Sequence, residues 1–344
     1  MTRTSAAPPP PPLEHAHLPP PPHIRSIHKI LQRSPTGTTP PDSEAPPVLD
    51  FSGYDGTLDS IPEYHRQRLE LTGSIATSTL QSAYKHLDDS APLPAEAVPI
   101  YTHTSVPGLR ILPGLLPPAT QTQLLTSLLH RDLSNTSTHS TNLHLHYHVP
   151  PTPFSFFTLP TTTTLLPKDP TIHKPLPLSR ALTKKLRWMT LGGQYDWTKK
   201  EYPERAPGEE PPFPADVAGL VSELFPDVTP QAAILNVYAP ADTLAPHRDV
   251  SEASNAPLVS ISVGCAGVFV IGLDGEDTEV LAVRLGSGDA VVMAGESRWA
   301  WHSVPKILKG TCPEVIAGWP GGETEWGNWL EGRRINLNIR QMWD

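Results

Sequence analysis

His247 and Asp249, in "PHRDV", are separated by one residue. On a strand or at its end, a period of two sends both to one side and points Arg248 away, at most to a rim beside a substrate. Such a pair can share one metal ion. A third ligand is on offer at His302 in "SRWAWHSVP", directly after the strand-like "DAVVMAG". Two histidines and one carboxylate leave open positions on an octahedral ion, with Fe(II) and zinc as competing metals. In a chain with 15 histidines the H-x-D pair is weak alone, since an ordinary turn explains it equally well.

The C-terminus adds an independent signal. In "RINLNIR", Arg334, Asn336, Asn338 and Arg340 alternate with Ile335, Leu337 and Ile339, so a strand here turns every polar group one way and every aliphatic the other. Two arginines on an inner strand face are costly to bury without anionic partners. A dicarboxylate fits, because a guanidinium grips a carboxylate through two parallel hydrogen bonds. The same alternation in "AILNVYAP" puts Asn236 and Tyr238 on one face, where both could bond that guest. The competing explanation is a solvated edge strand with a polar face.

The elements that must position these residues follow from the change of period along the chain. After residue 230, "AAILNVY", "LVSISVG", "GVFVIGL", "VLAVRL", "DAVVMAG" and "RINLNIRQM" are short β-branched or alternating runs between Gly, Pro, Asp and Ser turns. They predict a sandwich or double-sheet jelly roll, so the fold class is α+β, mainly β, with an N-terminal helical and loop extension. Gly286, Gly288 and Asp289 predict a tight turn before a strand. Helices are expected at "PPATQTQLLTSLL", with Leu124, Leu125, Leu128 and Leu129 as its stripe, at "SRALTKKLRW", and at "PADVAGLVSELF" with Val217, Leu220, Val221 and Leu224 on one side.

Much of the N-terminal third reads differently. The 43 prolines concentrate there, so residues 1–48 are expected to be a Pro-rich low-complexity segment. It carries a short basic helix near 23–34, with Ile24, Ile27 and Leu31 on one face and Arg25, Lys29 and Arg33 on another. That helix either packs with its charges solvated or contacts nucleic acid. Residues 49–97 are expected to connect, 98–229 to form a helical and loop substrate-recognition part, and 230–344 to form the core. The Gly- and Trp-rich 308–333 reads as an insertion.

A net charge of -9 argues against coating nucleic acid by charge alone, although a local basic patch remains open. Cys265 and Cys312 cannot make a disulfide framework, which suggests an intracellular, reducing location: nucleus or cytoplasm, with the mitochondrion open. No apolar run is long enough for a bilayer, so a soluble chain without membrane association, and a monomer, is expected.

N-x-Y, then H-x-D, then a histidine in "GESRWAWH", then R-x-N-x-x-x-R resembles the AlkB family of Fe(II)- and 2-oxoglutarate-dependent dioxygenases. "RWMTLGGQYDWTKKEYP", "SRWAWHSVPKI" and "RINLNIRQMW" are most similar to the eukaryotic AlkB homologue 1 branch. The resemblance covers residues 98–344 and matches no motif in the first hundred. It implies a double-stranded β-helix with a catalytic Fe(II) held by His247, Asp249 and His302. It also implies O2 and 2-oxoglutarate as cosubstrates, the latter met by Arg334 and lined by Asn236, Tyr238, Asn336 and Arg340. Asn338 departs from the Thr common at that place.

The activity so implied is oxidation of methyl groups on nucleic-acid bases, with tRNA first and DNA next as substrates. A base must then be presented out of its stack. Trp188, Tyr195 and Tyr202 are the expected contacts, among Trp197, Lys184, Lys185, Arg187, Lys199 and Lys200, since aromatics interleaved with cations suit stacking plus phosphate contact. Trp188 and Trp197 serve equally well as core residues. Trp299 and Trp301 should point away from the metal and pack. Glu252 either contacts substrate or orients the triad. Two further readings stand: a protein hydroxylase or demethylase on the same fold, and a silent nucleic-acid-binding module, against which the intact ligand set speaks.

Overall fold

Each inner strand is covered on both faces, which is why so many read as nearly continuous apolar runs. The computed structural model describes residues 18–53, 60–194, 211–275, 278–321 and 324–344. Its strands in chain order are β1 (Val48–Asp50), β2 (Leu69–Ile75), β3 (Val98–His103), β4 (Leu109–Leu112), β5 (Ser140–Thr141), β6 (Thr164–Leu165), β7 (Leu176–Pro177), β8 (Trp188–Gly192), β9 (Ala232–Tyr238), β10 (Leu244–His247), β11 (Leu258–Gly264), β12 (Gly267–Gly272), β13 (Val280–Leu285), β14 (Ala290–Met293), β15 (Trp301–Ile307) and β16 (Arg334–Arg340). One sheet has the order β1-β13-β12-β15-β10, and the other β2-β3-β4-β14-β11-β16-β9-β8-β5. The two face each other as the expected jelly-roll core.

Alternation sorts the side chains of the nine-stranded sheet. Leu235, Val237, Val259, Ile261, Ile335, Leu337 and Ile339 turn outward onto Leu124, Leu125, Leu128 and Leu129 and onto Val217, Leu220, Val221 and Leu224. The last four lie on the helix Ala215–Leu224, as their spacing predicts. The first four lie on Pro118–Leu125 and its continuation as one wide turn to Asp132. Facing inward, Tyr238, Leu258, Val291 and Met293 meet Phe269, Ile271, Leu281, Val283 and Val304 of the five-stranded sheet. The expected turn at 286–289 is present: Gly288 has φ +89 and the Asp289 carboxylate accepts from the Gly286 amide at 2.6 Å.

The N-terminal part is more structured than its composition suggests. Helix α1 (Pro22–Arg33) buries Ile24, Ile27 and Leu31 on Val268, Val270, Ala282 and Trp301, the outer face of the five-stranded sheet. Arg25, Lys29 and Arg33 stay exposed. Residues 49–97, expected as connection, supply nearly all of β1, the whole of β2 and the helix Thr77–Lys85. The reason is register: β1 pairs with β13 in parallel and β2 with β3, completing both sheets. The helix expected through Trp188 stops at Lys185, because Leu186 is extended and Trp188 opens β8. Within 308–333, Trp319, Trp326 and Trp329 close around Phe157 at ring distances of 4.9, 6.0 and 5.0 Å, so this insertion is part of the core. Among the described residues no helix is long and apolar enough to cross a membrane.

Candidate active site

β10 and β15 run antiparallel with His247 directly opposite His302, so their imidazoles lie side by side with centroids 4.3 Å apart. Asp249 follows two residues after His247. Its Oδ1 is 3.9 Å from His247 Nε2, and its Oδ2 is 3.7 Å from His302 Nε2. The ligand atoms of all three residues lie within 4.8 Å of one another. The tautomers follow from the backbone: His247 Nδ1 is 2.9 Å from the Ala245 carbonyl and His302 Nδ1 is 3.2 Å from the Ala300 carbonyl. A carbonyl only accepts, so both Nδ1 atoms carry the proton and both Nε2 lone pairs face Asp249.

Electrostatics keep His302 and Asp249 ready to ligate. Burial, then His247, holds His302 down to about 4, so its ring is neutral at physiological pH. Burial would raise the Asp249 carboxyl, but the Arg340 guanidinium beside it overrides this and holds the group well below the usual carboxylate range. Arg340 Nη2 donates to Asp249 Oδ2 at 2.9 Å.

Opposite the cluster, the registers of β8, β9, β16 and β11 lay out rows of inward side chains. One row runs Trp188, Asn236, Asn336, Ser262, and the next Tyr238, Arg334, Gly264. Asn336 Nδ2 donates to Ser260 Oγ at 2.9 Å. Arg334 is only 2% exposed. Nη1 donates to the Leu285 carbonyl at 3.1 Å and the Cys265 carbonyl at 3.4 Å, and Nη2 to Ser262 Oγ at 2.8 Å. Among the described residues its Nε has no hydrogen-bond partner, and neither has the buried Tyr238 hydroxyl in the same row. Burial lowers Arg334 to about 10 and pushes Tyr238 up to about 12, leaving a cation and a neutral phenol at neutral pH. Gly267 makes room for this guanidinium, since a Cβ there would stand 3.0 Å from Nε.

The two arginines of "RINLNIR" therefore differ. Both are buried, as alternation requires, but Arg340 has protein carboxylates at Asp249 and Glu252, at 2.9 and 3.2 Å. Among the described residues Arg334 has hydrogen bonds to two carbonyls and a serine, and no carboxylate in ion-pair contact. Arg248 is not a rim residue: it stacks over the Trp301 ring at 4.6 Å and pairs with Asp274 at 3.2 Å, on the far side of its sheet. Trp299 and Trp301 are buried packing groups, as expected. Trp188 is half-buried, and Lys184, Lys185 and Arg187 beside it are exposed, with Arg187 paired to Asp242. Tyr195, Trp197, Lys199, Lys200 and Tyr202 lie outside the described residues.

Sequence reasoning passed over Ser260, Ser262 and Arg298. The serines had a readable signal, two polar residues at period two inside the apolar "LVSISVG". Arg298 had one as well, a lone cation beside the run "WAWHSVP".

Residues 108–340 match the family model described as the 2OG-Fe(II) oxygenase superfamily. The N6-methyladenosine RNA demethylase ALKB1 of Pyricularia oryzae is 43% identical over 321 residues, covering 84% of this chain and 90% of that protein. The N6-methyladenosine RNA demethylase ALKBH of Cryphonectria parasitica is 48% identical over 227 residues, which is 59% of this chain and 100% of that protein. The tRNA demethylase abh1 of Schizosaccharomyces pombe is 42% identical over 176 residues, covering 49% and 57%. A match spanning most of the sandwich, over a cluster of two histidines and one aspartate able to hold one ion, establishes that the chain belongs to the 2OG-Fe(II) oxygenase superfamily, whose members use Fe(II), 2-oxoglutarate and O2.

Proposed function

We propose that the protein oxidises methyl groups on nucleic-acid bases, RNA ahead of DNA, with Fe(II) held by His247, Asp249 and His302 and 2-oxoglutarate anchored at Arg334. The observation that carries this reading is the Arg334 Nε, which has no hydrogen-bond partner among the described residues, in register with the likewise unpartnered Tyr238 hydroxyl, on the strand whose Arg340 reaches Asp249. A carboxylate satisfies both donors at once, and the donor set of two imidazoles and one carboxylate suits Fe(II). When bound, iron and 2-oxoglutarate would supply O2 activation coupled to decarboxylation to succinate, and with it oxidation of a nearby C–H bond.

The chain's own residues do the rest. The two Nδ1 bonds fix ring orientation at His247 and His302, and the Asp249 charge survives burial because Arg340 sits on Oδ2. Tyr238 donates as a neutral phenol, and Asn236 and Asn336 share the inner rows with it. Phe269, with its ring 5.9 Å from His302, and Leu244 and Val304 form an apolar wall that limits water beside the ligands.

On the substrate side, Trp188 shares a row with Asn236, and the exposed Lys184 and Lys185 stand beside it. That combination suits one stacked base and its phosphates. The relatives named as RNA and tRNA demethylases support RNA as the first substrate class. Two free thiols fit a reducing compartment, nucleus, cytoplasm or mitochondrion.

The test is a panel of methylated RNA and DNA oligonucleotides set against a methylated-peptide panel, read by succinate release. RNA turnover is expected. Turnover of peptides with none of oligonucleotides overturns the reading in favour of a protein substrate.

A further inference from the structure

Glu252 is 3% exposed and Arg298 1%, an unusual depth for two charged side chains that neither ligate nor face the cleft. Arg298 Nη2 meets Glu252 Oε2 at 3.1 Å, Nε donates to the Ala256 carbonyl at 3.0 Å, and Nη1 donates to the Asp249 carbonyl at 3.1 Å. The other Glu252 oxygen, Oε1, lies 3.2 Å from Arg340 Nη1, while Arg340 Nη2 holds Asp249 Oδ2 at 2.9 Å. These contacts close a cycle from the Asp249 carboxylate through Arg340, Glu252 and Arg298 to the Asp249 backbone. We propose that Glu252 and Arg298 are positioning residues for the metal site, fixing Asp249 at its carboxylate through Arg340 and at its backbone through Arg298. The inference rests on the proposed metal site and assigns roles within it.

The charges show why both members matter. Asp249 and Glu252 balance Arg298 and Arg340, so the cycle is neutral before an ion arrives. Glu252 shares the Arg340 guanidinium with Asp249 as an ion pair at Nη1, and so moderates the hold of that cation on a carboxylate that must face a dication. Without the Glu252 charge, two buried guanidiniums share one carboxylate beside the incoming ion, and each repels it. Arg298 also ties the 249–256 loop to the turn that leads into β15, so that Asp249 and His302 keep their separation. Neither side chain is placed to touch substrate. Outer partners of this kind commonly govern metal affinity.

The test uses the full chain, metal-free, titrated with Mn(II) alone and followed by the resonance of the free ion, with thermal melts of each protein. Glu252→Gln keeps the shape and removes the charge. Its Mn(II) Kd is expected to weaken by about 10- to 100-fold. At saturating metal its KM for 2-oxoglutarate should stay close to wild type, because Arg334 is untouched. A folded Glu252→Gln with a lowered Tm and an unchanged Mn(II) Kd overturns the proposal, since a merely structural role moves only the first. Should that variant not fold, Arg298→Lys keeps the charge and loses the fork. It is expected to weaken Mn(II) in the same direction, and an unchanged Kd again overturns the proposal. If wild type binds Mn(II) as well after His247→Ala as before, the metal site itself is misplaced, and both readings fall together.

Discussion

Replacing Arg334 by Met separates binding from folding more cleanly than any other change in this site. Burial pushes the guanidinium from its ordinary value down to about 10. At 1.36 kcal/mol per unit the charged form therefore costs the fold about 3 kcal/mol. That cost is full at pH 7, where folded and unfolded chains are both protonated, and is relieved only above pH 10. Against it stand three hydrogen bonds to Leu285, Cys265 and Ser262, worth about 1 kcal/mol each. The two sums nearly cancel, so Arg334→Met should leave the Tm of the metal-free protein within about 3 °C of wild type. Binding has no such compensation. A carboxylate at Nε and Nη2 makes two charge-assisted bonds worth about 1.5–3 kcal/mol each, so losing both weakens 2-oxoglutarate by at least about 100-fold. Anaerobic titration of 2-oxoglutarate into Mn(II)-loaded protein reads the affinity, thermal shift reads the fold, and Arg334→Lys, which keeps the charge without the fork, should fall between. An affinity within tenfold of wild type would refute the assignment of Arg334. A Tm drop of more than 10 °C would show that the residue holds the fold instead.

Tyr238→Phe removes a buried hydroxyl that has no partner among the described residues; its Tm should not fall, while the KM for 2-oxoglutarate rises about tenfold, and an unchanged KM would remove Tyr238 from the anion site. His103 is held down to about 4 by burial, then by His65 and Arg68, and its chain of bonds allows one neutral arrangement: His65 Nε2 donates to the Pro47 carbonyl, His103 Nε2 to His65 Nδ1, and the Ser105 amide to His103 Nδ1. The unfolded chain binds this proton below about 6.5 and the folded chain only near 4, so stability is complete above 6.5 and falls by up to about 3 kcal/mol on acidification to 4. Melts of His103→Gln from pH 7.5 to 4.5 should show a shallower slope than wild type, and equal slopes would deny the shift. Leu31→Ala, in α1 against Val268 and Trp301, should cost about 2–5 kcal/mol by denaturant unfolding; a cost under 0.5 kcal/mol would mean that the helix does not stay docked.

Local pattern made the strands and the clustering of His247, Asp249 and His302 legible, because both depend on periods of two and on residue type. "RINLNIR" and "AILNVYAP" gave the inner faces of β16 and β9, and the structure keeps each polar group of those runs inward. Neutralisation was not legible, since it depends on partners far along the chain. Arg334 and Arg340 look alike in sequence, yet Arg340 finds Asp249 across 91 residues while Arg334, among the described residues, finds two carbonyls and a serine. The period shows that a charge is buried and says nothing of what balances it. Recruitment of β1 and β2 was hidden for a related reason: β1 is only three residues long and β2 is exposed along its middle five, so neither shows an inward–outward period, and their pairing with β13 and β3 is decided by sheet edges that needed covering. Arg248 marks the same limit from the other side. Alternation aimed it away from the metal correctly, but only the fold put Trp301 and Asp274 there to receive it. In this chain, then, unbalanced charge is the functional signal: of the two buried arginines on β16, the one without a protein carboxylate is the one that calls for a ligand.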